Sequence, residues 1–261
     1  MFPISDPDIR KRGRPVINIA LIALCGGVFV YELVIGEQGR EILFYQFGMI
    51  PAELAHGADY GALVTPAGTF DIATPIPAWA TLFTSMFLHA DWLHFAVNML
   101  FLWVFGDNVE DRFGHFKYLL FYLAAGVAAS WLQIAVEPSS QIPTIGASGA
   151  IAGVLGAYLL LFPFSRIRTV VFFFIITIVR IPAFLLLGLW FLLQFISGVG
   201  SLGPSTQTGG VAYWAHMGGF LMGMAVVVVY KVATRQSIWP KRPRDGPLGE
   251  PGGHDPRDWR V

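Results

Sequence analysis

The run Gly146-Ala147-Ser148-Gly149-Ala150-Ile151-Ala152-Gly153-Val154-Leu155-Gly156 opens an apolar stretch that continues to Phe162. It reads as a helix lying in a lipid bilayer, with Ser148, Ala152 and Gly156 on one small-residue stripe. A hydroxyl in hydrocarbon is costly unless it is paired. Further along, His216 stands at the head of another apolar stretch, in Ala215-His216-Met217-Gly218-Gly219. His216, Gly219 and Gly223 form a second small-residue stripe. A serine hydroxyl needs a base to become a nucleophile at neutral pH, and an imidazole is suited to that role. If the two helices pack backbone to backbone, the hydroxyl and the imidazole come within hydrogen-bond reach.

Composition supports a membrane setting. Hydrophobic residues make up 55% of the chain and charged residues 13%, where a soluble domain carries roughly a quarter charged. The net charge is zero, which argues against a nucleic-acid partner, since that needs a basic surface. The single cysteine, Cys25, falls in an apolar run and cannot form an internal disulfide. No cofactor or metal is implied.

Spans are expected at Val16–Ile35, Trp92–Phe105, Phe116–Val136, Ser148–Phe162, Pro182–Ile196 and Ala212–Tyr230. The fold class is thus an all-α polytopic membrane protein with six transmembrane helices. Arg10, Lys11, Arg12 and Arg14 precede the first span and place the basic N-terminus, 1–14, in the cytoplasm. With six spans, Arg166, Arg168, Lys231, Arg235, Lys241, Arg242 and Arg244 fall on that same side. The membrane domain covers 15–233, and a disordered cytoplasmic tail of Pro, Gly, Arg and Asp covers 234–261. The segment from Gly36 to about Ala80 is an outer loop with an interfacial amphipathic helix at Arg40–Phe47. The apolar run Val170–Val179 is too short to span. It reads as an in-plane or re-entrant segment, or else as the start of one long tilted helix from Thr169 to Ile196.

Depth gives an independent check. At 1.5 Å per residue, Ser148 lies about 21 Å from the end of its span, His216 about 22 Å from Lys231 and His94 about 20 Å from Asp107. Three helices running the same way therefore carry polar residues to one layer, roughly 10 Å below the outer surface of a core about 30 Å thick. His94 and Asn98, four apart, share a helix face. An Asn side chain and the Ser148 backbone N–H are suitable donors for an oxyanion. His89 is off that face and more naturally supports the outer loop. Two plainer alternatives stand beside this reading: Ser148 bonding its own helix backbone between packing glycines, and Asn98 making an interhelical hydrogen bond. Apart from Glu32, the spans hold no carboxylate, so the pattern is a Ser-His dyad.

His89-Ala90-Asp91-Trp92-Leu93-His94 with Asn98, Gly146-Ala147-Ser148-Gly149, and Ala215-His216-Met217-Gly218-Gly219 resemble the motifs of the rhomboid intramembrane serine proteases, over about Trp79 to Gly223. The resemblance implies a six-helix fold with a membrane-embedded loop between helices 1 and 2 and a cavity opening to the outer face. It makes Ser148 the nucleophile and His216 the general base and acid, with His94, Asn98 and the Ser148 N–H as the oxyanion hole. Gly146 and Ala147 would shape the turn into the fourth helix, and Gly149, Gly219 and Gly223 would pack it. Glu110 and Arg112 match a structural Glu-x-Arg element. The Trp-Arg pair of many members is missing from its obvious place, where Trp79 precedes Ala80 and Thr81, and there is no seventh span.

By the same resemblance, substrates are single-pass membrane proteins cut near the outer end of their transmembrane helix. They would reach the site laterally between the second and fifth helices, beside Phe184, Trp190 and Phe191. The location implied is a bacterial inner membrane. Two rivals are an inactive relative that binds membrane clients and a transporter, which would need more intramembrane charge.

Overall fold

A computed structural model describes residues 2–9, 13–57, 61–65, 68–172, 176–202 and 210–240. The chain is mostly helical. Strand β1 (Phe2–Ser5) leads into α1 (Val16–Val34), α2 (Gly36–Phe47) and α3 (Pro51–His56). The hairpin β2 (Ala62–Thr65) and β3 (Gly68–Asp71) is followed by the short α4 (Thr81–Thr84), flanked by 3-10 turns. Then come α5 (Trp92–Phe101), a π-turn (Leu102–Gly106) and α6 (Asp107–Phe113) in one unbroken run, then α7 (His115–Val136) and α8 (Ser148–Leu161). A second hairpin, β4 (Arg166–Phe172) and β5 (Ile176–Pro182), precedes α9 (Ala183–Gly200) and α10 (Tyr213–Ala233).

Among the described residues, α1, α7, α9 and α10 are each long and apolar enough to cross a membrane. The segments 78–87 and 92–113, bent by 84° to one another, would make a fifth. Helix α8 is shorter, at 14 residues. Large apolar side chains stay exposed along α1 and α9, among them Val30, Val34, Leu185, Leu189, Leu192 and Leu193, as expected of helices solvated by lipid rather than water. This is an integral membrane protein.

Helix α8 is the axis of the bundle, and its glycines let neighbouring backbones touch. A Cβ added to Gly219 would overlap the Gly149 carbonyl, and one added to Gly223 would overlap the Gly153 carbonyl. Both numbers rise together, so α8 and α10 run parallel. Trp190 and Phe191 meet Phe220, while Gly198 faces Tyr213 and Trp214, so α9 runs antiparallel to α10. Helix α7, whose Ala129 and Ala125 face Gly149 and Gly153, is antiparallel to α8.

The apolar run at 170–179 is not the start of one long helix, since α9 begins only at Ala183. Its described part forms the arms of a β-hairpin, with Arg166 paired to Pro182 and Phe172 to Ile176. Thr169, Val170, Val171, Ile176, Thr177, Ile178 and Val179 are β-branched, and such side chains favour an extended backbone. The hairpin starts and finishes at the same end of the bundle, so the chain does not cross there. The N-terminus adds a third strand, which sequence reasoning did not anticipate: β1 pairs with β4, Phe2 opposite Val170 and Pro3 opposite Thr169. Asp6 then locks the strand down by accepting from Ser165 Oγ at 2.6 Å and from the Tyr158 hydroxyl. The tail expected to be disordered lies, from residue 241 on, outside the described residues.

The same end holds the Glu110 contact. Its carboxylate accepts from the Ile17 and Asn18 N–H groups at 3.0 and 2.7 Å, satisfying donors that the first turn of α1 leaves without a helical partner. Asn18 in turn donates to the Leu102 carbonyl at 2.9 Å and accepts from the Tyr118 hydroxyl at 2.8 Å, bracing the π-turn. Arg112 lies 5.1 Å over the Phe162 ring. The helix expected at Arg40–Phe47 is present as the last eight residues of α2. Beyond it, Met49 and Thr144 exchange backbone hydrogen bonds of 3.1 and 2.8 Å, tying the α2–α3 connection to the loop that leads into α8.

Candidate active site

Ser148 is the first residue of α8 and His216 the fourth of α10. Two parallel helices in backbone contact carry their first turns to one level. The result is a hydrogen bond of 2.8 Å between His216 Nε2 and Ser148 Oγ. Ser148 is half-buried and His216 is 9% exposed. The serine therefore bonds a base on a neighbouring helix. The turn into α8 depends on Gly146, whose φ of +121° is a conformation that side chains with a Cβ rarely adopt. Its N–H donates to the Ser85 carbonyl at 2.8 Å. The Ser148 N–H belongs to the first turn of α8, whose amides lack intrahelical acceptors.

His94 comes into the same place. A Cβ on Gly146 would lie 2.7 Å from His94 Nε2 and 3.6 Å from Ser148 Oγ, so the absent side chain is what lets the imidazole reach the turn. Asp91 caps α5 by accepting from the His94 N–H at 2.8 Å. Asn98 is 5% exposed, one turn below His94 on the same face. Its Nδ2 donates to the His94 carbonyl at 2.7 Å, within its own helix. That differs from the interhelical bond considered above, and the amide nitrogen carries a second hydrogen. His89 is fully buried beneath the start of α5. Its N–H donates to Glu32 Oε1 at 3.1 Å, and its ring contacts Phe29, Phe95 and His94. It thus pins the turn before α5 to α1. Glu110 and Arg112 stand at the opposite end of the bundle and take no part in the site.

Three contacts around His216 were not foreseen. Gln194 on α9 places Oε1 2.7 Å from His216 Nδ1. Trp190, one turn earlier, lays its ring 5.9 Å from the imidazole. Gln133 on α7 accepts from the Ala215 N–H at 3.3 Å, holding the turn that carries His216. The signal for Gln194 and Gln133 was present: each is a lone amide in an apolar helix, and such groups seek a partner in hydrocarbon. Chemically, the arrangement offers a hydroxyl able to add to a carbonyl, an imidazole placed to take its proton, and amide and imidazole N–H groups beside them.

A family model described as the rhomboid domain matches residues 77–232, which takes in Ser148, His216, His94, Asn98, His89, Gln133, Trp190 and Gln194. The chain belongs to the rhomboid family. Among curated rhomboids it is 31% identical over 146 residues to the mitochondrial Rhomboid protein 1 of Saccharomyces cerevisiae, covering 54% of this chain and 38% of that protein. It is 35% identical over 156 residues to the chloroplastic Rhomboid-like protein 11 of Arabidopsis thaliana, covering 58% and 52%. It is 37% identical over 156 residues to the Rhomboid protease GluP of Bacillus subtilis, covering 59% and 26%. The match thus spans from about a quarter to about half of these rhomboids' lengths.

Proposed function

We propose that this rhomboid is an intramembrane serine endopeptidase with a Ser148–His216 dyad. The observation that carries the reading is the 2.8 Å hydrogen bond between His216 Nε2 and Ser148 Oγ. Ser148 Oγ adds to the scissile carbonyl as its proton passes to His216. The oxyanion is met by the Ser148 N–H, the His94 ring and the second Asn98 N–H. Collapse expels the amine, which takes the proton from His216, and leaves an acyl-serine. Water then adds, giving its proton to His216, and the acid departs as Ser148 is restored.

In this reading six segments cross the bilayer: α1, α5–α6, α7, α8, α9 and α10. The basic residues support the orientation. Arg166, Arg168 and Arg180 lie on the β4–β5 hairpin, and Lys231 and Arg235 close α10, all at the end where α1 begins. By the positive-inside rule that end is cytoplasmic, and the dyad opens to the outer face. We place the protein in a bacterial inner membrane. Its substrates are single-pass membrane proteins, cut near the outer end of a helix weakened by Gly or Pro, because a scissile bond must first leave its helical hydrogen bonds. They approach between α5 and α9.

The test is cleavage in liposomes of single-pass substrates with a helix-destabilised outer end, followed by mapping of the cut. Cleavage by the wild type and none by Ser148→Ala is the expected result. A wild type that leaves all such substrates intact would point instead to a client-binding, inactive rhomboid.

A further inference from the structure

His216 is held from both sides of its ring. Nε2 meets the Ser148 hydroxyl at 2.8 Å, and Nδ1 meets Gln194 Oε1 at 2.7 Å. Gln194 is half-buried on α9, while Leu192, Leu193, Phe195 and Ile196 around it are exposed toward lipid. In this outward-facing stretch the one amide turns inward. We propose that Gln194 is a positioning residue that sets the tautomer of His216, reserving Nε2 as the proton acceptor for Ser148. The proposal rests on the dyad reading above and gives the dyad a third, neutral member.

The chemistry follows from the donor and acceptor inventory. A neutral imidazole carries one ring proton, and an amide oxygen can only accept. With Oε1 facing Nδ1, the proton belongs on Nδ1 and the Nε2 lone pair is left for the serine. The reverse amide orientation would donate to Nδ1 and force the proton onto Nε2, where it would block the base. The contact therefore favours the tautomer in which Nε2 can act as the base. When His216 takes the Ser148 proton, the Nδ1–H bond becomes charge-assisted and tightens. An orienting partner of this kind is the role a carboxylate fills in a Ser-His-Asp triad. A neutral amide performs the orientation without burying a second charge in an apolar site.

The surroundings fit orientation rather than helix packing. Trp190, at i−4 from Gln194 and so on the same face of α9, packs on the same imidazole at an interplanar angle of 36°. Together they fix both the ring plane and its proton. The groups facing His216 are Ser148 from α8, Gln194 and Trp190 from α9 and, as the titratable neighbour, His94 from α5.

The test compares the pH dependence of kcat and KM for reconstituted wild type, Gln194→Met and Gln194→Glu on one cleavable reporter, with unfolding midpoints recorded for each. Gln194→Met keeps the volume and removes the acceptor; kcat should fall roughly 10–100-fold with KM within about twofold. Gln194→Glu is isosteric and can only accept. It should retain turnover and move the acid limb of the kcat profile at least about one pH unit upward, because a carboxylate stabilises the imidazolium. A merely structural amide would not move that limb, so superimposable profiles for Gln194→Glu and wild type would overturn the proposal. Should Gln194→Met not fold, the Gln194→Glu profile decides alone. A wild type that neither cleaves the reporter nor reacts with a fluorophosphonate would overturn the dyad reading, and this inference with it.

Discussion

Gly219→Ala tests how far the chemistry depends on contact between two backbones. The new methyl would overlap the Gly149 carbonyl oxygen and sit 3.0 Å from the carbonyl carbon and 3.3 Å from the Gly153 nitrogen. Ordinary carbon contacts are about 3.5–4.0 Å, and a backbone carbonyl cannot swing aside as a flexible side chain can. Relief requires α10 to retreat from α8 by about 1 Å. His216 stands one turn earlier on the same face, so its 2.8 Å bond to Ser148 would stretch toward about 3.8 Å, beyond hydrogen-bond range. A misplacement of about 1 Å costs on the order of 100-fold in rate, and overpacking should cost about 1–3 kcal/mol in stability. The assay is kcat on a single-pass reporter in liposomes, with thermal unfolding in detergent. Gly188→Ala is the control, since a Cβ there meets nothing within 4 Å; it should leave kcat unchanged. Full activity in Gly219→Ala would refute the claim that close α8–α10 packing sets the dyad.

Asn98→Ala should lower kcat by about 100–1000-fold while changing KM little, measured with the same reporter; a defect confined to KM would remove Asn98 from the oxyanion hole. Asp6 gives a pH signature at the opposite end. Burial pushes its carboxyl up from 3.8 to about 6, so the folded protein holds that proton more tightly than the unfolded chain does. Its stabilising contribution is complete below pH 3.8 and is lost as pH rises through about 6, a change of about 3 kcal/mol. Thermal unfolding should therefore show stability falling between about pH 4 and 6 in the wild type and a flatter profile in Asp6→Asn; equal slopes would contradict the assignment.

The helices were legible because membrane spans are long and apolar, and the Ser148–His216 meeting was legible because glycine stripes announce which faces touch. The equal-depth argument for His94 also corresponds to its place beside the Gly146 turn. Other features were hidden for physical reasons. The run at 170–179 is as apolar as a helix, and only its β-branched composition hinted at a strand whose partner, Phe2–Ser5, lies far away in sequence. The π-turn at Leu102–Gly106 leaves no mark on periodicity, since it is braced by the distant Asn18. Gln194 carries no sequence signal of a catalytic third member, because it is not a carboxylate, whereas a neutral acceptor suffices to orient a buried ring.

The most direct measurement is fluorophosphonate labelling of the reconstituted protein, with the modified peptide identified by mass spectrometry. The account predicts a single adduct on Ser148, lost in Ser148→Ala and strongly slowed in His216→Ala. Labelling that persists in Ser148→Ala, or an adduct on any other residue, would contradict it.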